Sequence, residues 1–249
     1  MVEKPVGSQT CLLKNWRAVD MQHLAMIMDG NRRWAKEQKF KAVTQGHRQG
    51  VESVKMAIEF CLKKGIKYLS LFTFSLENFK RDKSEQIFIF KLLINVLEKN
   101  VFKFEEQGVR VRFVGDRKLF PESVLDSIEK VEEKTKHLDA LKINMLFCYG
   151  GRQELSYAVK QIAKKVKSGE LDPENIDESV LRSEFWSAGI PDPDLIIRTG
   201  RQSRLSNFFL FQAAYSEIKF LDCYWPEITQ EHLGACYDDF NNSQQNFGV

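Results

Sequence analysis

Residues 23–34 read HLAMIMDGNRRW, and how they fold decides what the rest of the chain can be. Residues 23–28 form an apolar run short enough for a buried strand. The run breaks at Asp29-Gly30-Asn31, and Arg32-Arg33-Trp34-Ala35-Lys36 can be helical. Strand, tight turn and helix start point to an open α/β sheet, where ligands bind in the crevice beyond the carboxyl ends of the strands. There a helix start offers free N–H groups to an anion. Gly30 lets backbone approach a ligand, and Arg32 and Arg33 supply forked donors suited to phosphate. Asp29 is out of place in an anion site unless a divalent cation lies between it and the anion, or the acid takes part in chemistry. That suggests a diphosphate with Mg2+. The plain alternative is Asp29 as a helix N-cap with Gly30 as a turn residue, and this stretch alone does not separate the two.

Outward from there the chain alternates. Residues 45–64 carry a helical stripe (Val51, Val54, Ile58, Cys61, Leu62) closed by Gly65. Residues 68–74 are rich in β-formers and read as a second strand, which runs into the polar stretch 75–81. A long helix is predicted over 84–107. Residues 87–97 of it are apolar except Lys91 and Asn95, which lie four apart on one face. Such a helix must be covered on nearly all sides: by protein, by a hydrocarbon ligand whose cavity it walls, or by another subunit. Further strands are predicted at 109–114, 142–148, 194–198 and 217–221, and helices at 121–137, 154–167, 177–187 and 229–240. The alternation predicts an α/β fold with one mainly parallel six-stranded sheet flanked by helices. One sheet accounts for a single domain over 21–249, after an arm (1–20) with a short helix near 12–18.

Composition narrows the function classes. Hydrophobic residues make up 43% of the 249 and charged residues 29%, as in globular proteins. The 19 Phe against 6 Tyr and 4 Trp suit an apolar interior better than a polar recognition surface. A net charge of +3, spread along the chain, argues against nucleic acid as a partner. Cys11, Cys61, Cys148, Cys223 and Cys236 are far apart and read as reduced, packed thiols. With no apolar run long enough to span a bilayer and no signal-peptide pattern, a cytoplasmic protein is expected, with loose membrane contact left open.

Three polar clusters fall at predicted strand ends: 29–33, 75–81 and 198–206. In a parallel sheet these ends share one edge, so the clusters converge. Arg33 with the helix start, and Arg198 with Arg204, form two cationic groups suited to two anions or one extended anion. The usual nucleotide loops, G-x-x-x-x-G-K-[ST] and G-x-G-x-x-G, are absent.

HLAMIMDGNRRWA, Gly46-His47, FSLENFKR, YGGR, IRTGRQSRLSNFFLFQAAYSE and WPE together resemble the cis-prenyltransferases, in the right order and over nearly the whole chain from His23. The resemblance implies the fold of that family with a hydrophobic tunnel. It implies condensation of isopentenyl diphosphate onto an allylic diphosphate such as farnesyl diphosphate, giving an undecaprenyl-length polyprenyl diphosphate that is delivered to a membrane. It further implies Mg2+ as cofactor and a homodimer. Carried onto this chain, Asp29 matches the catalytic aspartate that handles magnesium and diphosphate. Gly30, Asn31, Arg32, Arg33, Trp34 and His47 match the surroundings of the allylic diphosphate. Ser75, Glu77, Asn78, Phe79 and Arg81 match a loop that closes over the substrates, with Asn78 near the reacting centre. Arg198, Arg204 and Ser206 match the isopentenyl diphosphate site. Glu217 matches a magnesium-linked glutamate, from or across the dimer contact.

The chain also departs from the family pattern. Val43 stands where an arginine is frequent, with Lys39 or Lys41 as its substitute; Ser203 stands where bacterial members have a histidine, Phe79 where they have tryptophan, and Arg32 where they have glycine. Two other functions stay open on the residues alone: a non-catalytic partner subunit that keeps the fold, and a generic phosphate-binding α/β protein.

Overall fold

A computed structural model describes residues 20–243. The expected arm helix and Cys11 lie outside the described residues.

Six strands form one sheet: β1 (His23–Ile27), β2 (Tyr68–Ser75), β3 (Val109–Val114), β4 (Leu141–Tyr149), β5 (Leu195–Arg198) and β6 (Glu217–Phe220). Their order is β3-β4-β2-β1-β5-β6, and every neighbouring pair is parallel. β1 and β5, in the middle, are buried at every position. This is why they read as continuous apolar runs rather than alternating ones. The helices are α1 (Asn31–Glu37), α2 (Thr44–Lys64), α3 (Lys83–Glu106), α4 (Glu122–Thr135), α5 (Gly151–Ser168), α6 (Glu178–Ser183) and α7 (Gln230–Asn242).

The chain leaves β1 towards β2 on one side and leaves β5 towards β6 on the other. β1 and β5 are neighbours, so their connections part between them and open a crevice at their carboxyl ends. Asp29 follows β1 and Arg198 ends β5; both border that crevice.

Two expectations need correction. The helix expected over 177–187 stops at Ser183; the chain then turns, with Gly189 at φ 79° ahead of Pro191 and Pro193. The helix α3 is not covered all round. Ile87 is 52% and Phe102 66% exposed, and the Lys91 and Asn95 line faces solvent. Its other side packs Phe90, Leu97, Val101 and Phe104 into the main core.

At the opposite end of the sheet His23 sits in a satisfied polar network. Its Nδ1 donates to the Pro191 carbonyl at 2.7 Å, and its Nε2 meets Ser70 Oγ at 2.7 Å. Asn144 Nδ2 donates to the same hydroxyl at 3.1 Å. Burial pulls the imidazole pKa down to about 4, so it stays neutral. Cys61, Cys148, Cys223 and Cys236 are free and buried, as expected of packed thiols.

Candidate active site

Gly30, not Asp29, occupies the cap position of α1. Its φ is 109°, and a Cβ there would come within 2.5 Å of the Tyr224 ring. Asp29 is thereby free of a capping role. Its carboxylate takes Arg198 Nη2 at 2.9 Å on Oδ2 and Arg33 Nη2 at 3.0 Å on Oδ1. Its carbonyl accepts from Thr199 Oγ1 at 2.8 Å and from Trp225 N at 3.0 Å. Gly200 has φ 89°, and a Cβ there would crowd Asp29 and Arg33. The two cationic groups expected as separate are therefore joined by one carboxylate.

Arg198 is 3% exposed. Its Nη1 donates to Ser206 Oγ at 2.8 Å and to the Arg204 carbonyl, while its buried Nε has no partner within the protein. The loop beyond β5 holds these groups at a conformational cost. Arg201, Ser206, Asn207 and Phe209 all have positive φ, each worth of order 1–3 kcal/mol of strain. Asn207 ties that loop to the neighbouring ones. It donates to Glu77 Oε1 at 2.9 Å and to Gln153 Oε1 at 3.0 Å, and accepts from Arg152 N at 2.8 Å. Burial alone would raise the Glu77 carboxyl. Hydrogen bonds from its own backbone, Asn207 and Ser75, with Lys80 nearby, outweigh that and lower it.

Asn78 and Arg81 come from the short turn after β2. Ser75 N donates to Asn78 Oδ1 at 3.2 Å and orients the amide. The register shift in β2 between Phe72 and Phe74 turns Thr73 towards the crevice, a common use of a bulge beside a site. Arg81 Nη1 and His47 Nε2 both reach Glu85 Oε1, at 3.2 and 3.1 Å, and Arg32 Nε lies 3.6 Å from Oε2. Burial pulls the His47 pKa down against the pull of Glu85. Gly46 must be glycine, since a Cβ would fall 1.9 Å from the Asn31 carbonyl; this is how α2 brings His47 against α1.

Two open cavities meet here. One, of about 430 Å³, is lined by Arg32, Arg33, Lys36 and His47. The other, of about 530 Å³, is lined by Ser75, Glu77, Arg198, Ser206 and Asn207. Met28, Asp29, Phe72, Asn78 and Arg81 line both. From the first, an apolar cavity of about 130 Å³ runs between α2 and α3 past Val51, Ile89 and Leu93. A further void of about 50 Å³ continues past Leu93 and Val96 to Lys103 and Gln107.

Residues 27–248 match the family model described as "Putative undecaprenyl diphosphate synthase". The chain belongs to this family. It is 40% identical over 228 residues to a ditrans,polycis-undecaprenyl-diphosphate synthase ((2E,6E)-farnesyl-diphosphate specific) of Xylella fastidiosa, spanning 92% of this chain and 89% of the relative. It is 40% identical over 227 residues to an isoprenyl transferase of Clostridium tetani, spanning 91% and 89%. Among solved structures it resembles lavandulyl diphosphate synthase from Lavandula x intermedia in complex with dimethylallyl diphosphate, with TM-score 0.89, 31% identity and 92% and 99% of the two chains covered. It also resembles a probable undecaprenyl diphosphate synthase from Campylobacter jejuni, with TM-score 0.76, 37% identity and the same coverage.

Some residues matched to the family motifs lie away from the crevice. Trp34 packs its ring on Phe40 at 5.5 Å, and Lys41 is exposed on the turn before α2. Phe79 turns into the core against Phe74, ring centroids 5.1 Å apart. The Arg204 side chain is exposed and held by Gln202 Oε1 at 2.6 Å; only its carbonyl meets Arg198. Arg201 swings away to Asp222, at 3.2 Å, and lies over the Tyr224 ring. Glu217 pairs in register with Leu195, at the start of β5, whereas Arg198 at its end reaches Asp29. Three residues along a strand is about 10 Å, so Glu217 and Asp29 of one chain stand at different ends of the sheet. Its carboxylate instead accepts from Ser243 Oγ.

Proposed function

We propose that this member of the undecaprenyl diphosphate synthase family condenses isopentenyl diphosphate units onto farnesyl diphosphate and makes a long-chain polyprenyl diphosphate of undecaprenyl type. The observation that carries the reading is the doubled cavity. Asp29, Asn78 and Arg81 line both halves, each half has its own arginine, and an apolar passage leaves one of them. The allylic diphosphate fits the half with Arg33 and His47, and isopentenyl diphosphate the half with Arg198 and Ser206. Asn78 stands at the junction, where the reacting carbons meet.

As the allylic C1–O bond breaks, negative charge grows on the leaving diphosphate. Arg32, Arg33, Arg81 and the uncapped N–H groups of α1 are already placed to receive it, so they stabilise the transition state more than the bound substrate. The isopentenyl C4 bonds to C1, a proton leaves C2, and a cis double bond results. Holding both substrates side by side replaces a two-body encounter with an effectively intramolecular one.

A magnesium site of modest protein content fits these residues. No cluster of three potential metal ligands occurs among the described residues, but Mg2+ often takes one carboxylate together with water and substrate phosphate. Asp29, part-exposed to the cavities and already flanked by two arginines, would hold it there, and the bound ion would neutralise charge on the leaving diphosphate. Glu217 would join such a site only from a second copy, in a homodimer.

The growing chain would lie between α2 and α3. Burial stabilises it by about 0.8 kcal/mol per CH2. No helix among the described residues is long and apolar enough to cross a membrane; the apolar product would be delivered to one.

The test is incubation of the purified chain with farnesyl diphosphate, labelled isopentenyl diphosphate and Mg2+. Extractable label in long polyprenyl product supports the reading; none, with intact folded protein, overturns it.

A further inference from the structure

We propose that Glu85 is a positioning residue for the allylic diphosphate: it sits behind the cleft and sets the geometry of three cationic side chains that face the ligand. This rests on the function proposed above.

Glu85 lies in the first turn of α3 and is 5% exposed. An acid at a helix start ordinarily stays in water and interacts with the helix dipole from there. Burying it is costly unless it is paired and hydrogen-bonded. Here one oxygen takes both His47 and Arg81, and the other faces Arg32. The three partners come from three pieces of chain: α2, the turn before α3, and α1. All three line the 430 Å³ cavity, and Glu85 does not. The carboxylate makes Nε2 the proton-bearing nitrogen of His47 and fixes the ring. It also stands between Arg32 and Arg81, which repel one another across the site. Without that negative charge the guanidiniums would spread, and a diphosphate would meet them at the wrong spacing. Gln86, the next residue, reinforces the arrangement by donating to the Phe79 and Arg81 carbonyls at 3.0 and 2.7 Å. The Arg198 end shares no hydrogen bond with this network; its partners are Asp29, Ser206 and the Arg204 carbonyl, and Arg81 alone of the network also lines its cavity.

The experiment is initial-rate kinetics of the full chain and two variants with each diphosphate varied in turn. Glu85→Gln keeps the shape and removes the charge. It should raise KM for farnesyl diphosphate about tenfold and KM for isopentenyl diphosphate by no more than about threefold, the smaller rise following because only Arg81 of the three borders both cavities. Glu85→Asp keeps the buried charge, and so the fold, while drawing the oxygens back by one bond; its allylic KM should rise about threefold. A general structural defect would move both KM values together. Equal rises in both, or an allylic KM within about twofold of the unmodified chain in both variants, overturns the role of Glu85 alone. No turnover by the unmodified chain overturns the function itself and this inference with it.

Discussion

Around Asp29 the charged groups are already committed to one another. Arg33 and Arg198 grip its carboxylate, Glu85 gathers Arg32, His47 and Arg81, and a loop with four strained residues holds the Arg198 side. Between α2 and α3, by contrast, half-buried aliphatic side chains such as Val51, Ile89 and Leu93 border voids of about 130 and 50 Å³, with polar residues such as His47 at the near end and Lys103 and Gln107 at the far one. The rim is fixed before any ligand arrives, which is what charge stabilisation requires, since dipoles that must reorganise stabilise less. The passage is smaller than the 300–1,000 Å³ of an ordinary ligand pocket. On the function proposed above, a lengthening hydrocarbon would have to push α3 outward, on the side where Ile87, Lys91 and Asn95 are exposed. On this account the rim decides whether a bond forms, and the passage decides how many form.

The contrast can be broken at either end. Asp29→Ala should give the largest effect, a fall in kcat of about 10³, together with a lower thermal midpoint because the buried Arg198 loses its charge partner; single-turnover measurements on the folded variant check it, and a loss under tenfold would make the rim dispensable. Arg198→Ala should raise KM for isopentenyl diphosphate about a hundredfold and weaken farnesyl diphosphate binding by no more than about threefold. A two-substrate titration reads the split. It will also lower stability, because Asp29 loses one of its two partners.

A bulky residue in the passage should act differently. Ile89→Trp or Leu93→Trp should leave the first condensation within about threefold of normal yet shorten the extracted product, since the side chains border the passage and not the charges. Unchanged product length for every such substitution would remove the passage from the account.

The effect most remote from the substrates lies at the far end of the sheet. His23 titrates near 6.5 when unfolded and about 4 when folded. Between those values the unfolded chain binds more protons, so stability is full above pH 6.5 and lost as pH falls towards 4. The loss attributable to this group is about 3 kcal/mol, read by chemical denaturation across that range. The rim contacts do not involve this residue, so ligand affinity should not follow the same curve.

The strands were legible because this sheet is parallel and buried, and buried parallel strands are uninterrupted apolar runs between turn residues. Asp29, Arg33, Asn78 and Arg198 were legible because each sits within a few residues of such a run's end. Glu85 was not: an acid in the first turn of a helix looks like ordinary dipole pairing, and its three partners are 4 to 53 residues away in sequence. Lys36, which lines the first cavity, was read only as part of the helix start. Trp34 was drawn to the site by its match to the family motif and Lys41 as a substitute for the arginine absent at Val43, and the helix and turn geometry faces them elsewhere. Glu217 shows the same limit on a larger scale, since only strand register reveals which end of the sheet it occupies.

The central claim concerns where the two ends of one substrate lie. A crystal structure with farnesyl diphosphate tests it most directly. The diphosphate should lie against Gly30, Asn31, Arg33 and His47, with its hydrocarbon between α2 and α3 beside Ile89 and Leu93. Hydrocarbon lying outside α3, or a diphosphate held only by Arg198 and Ser206, would contradict the account.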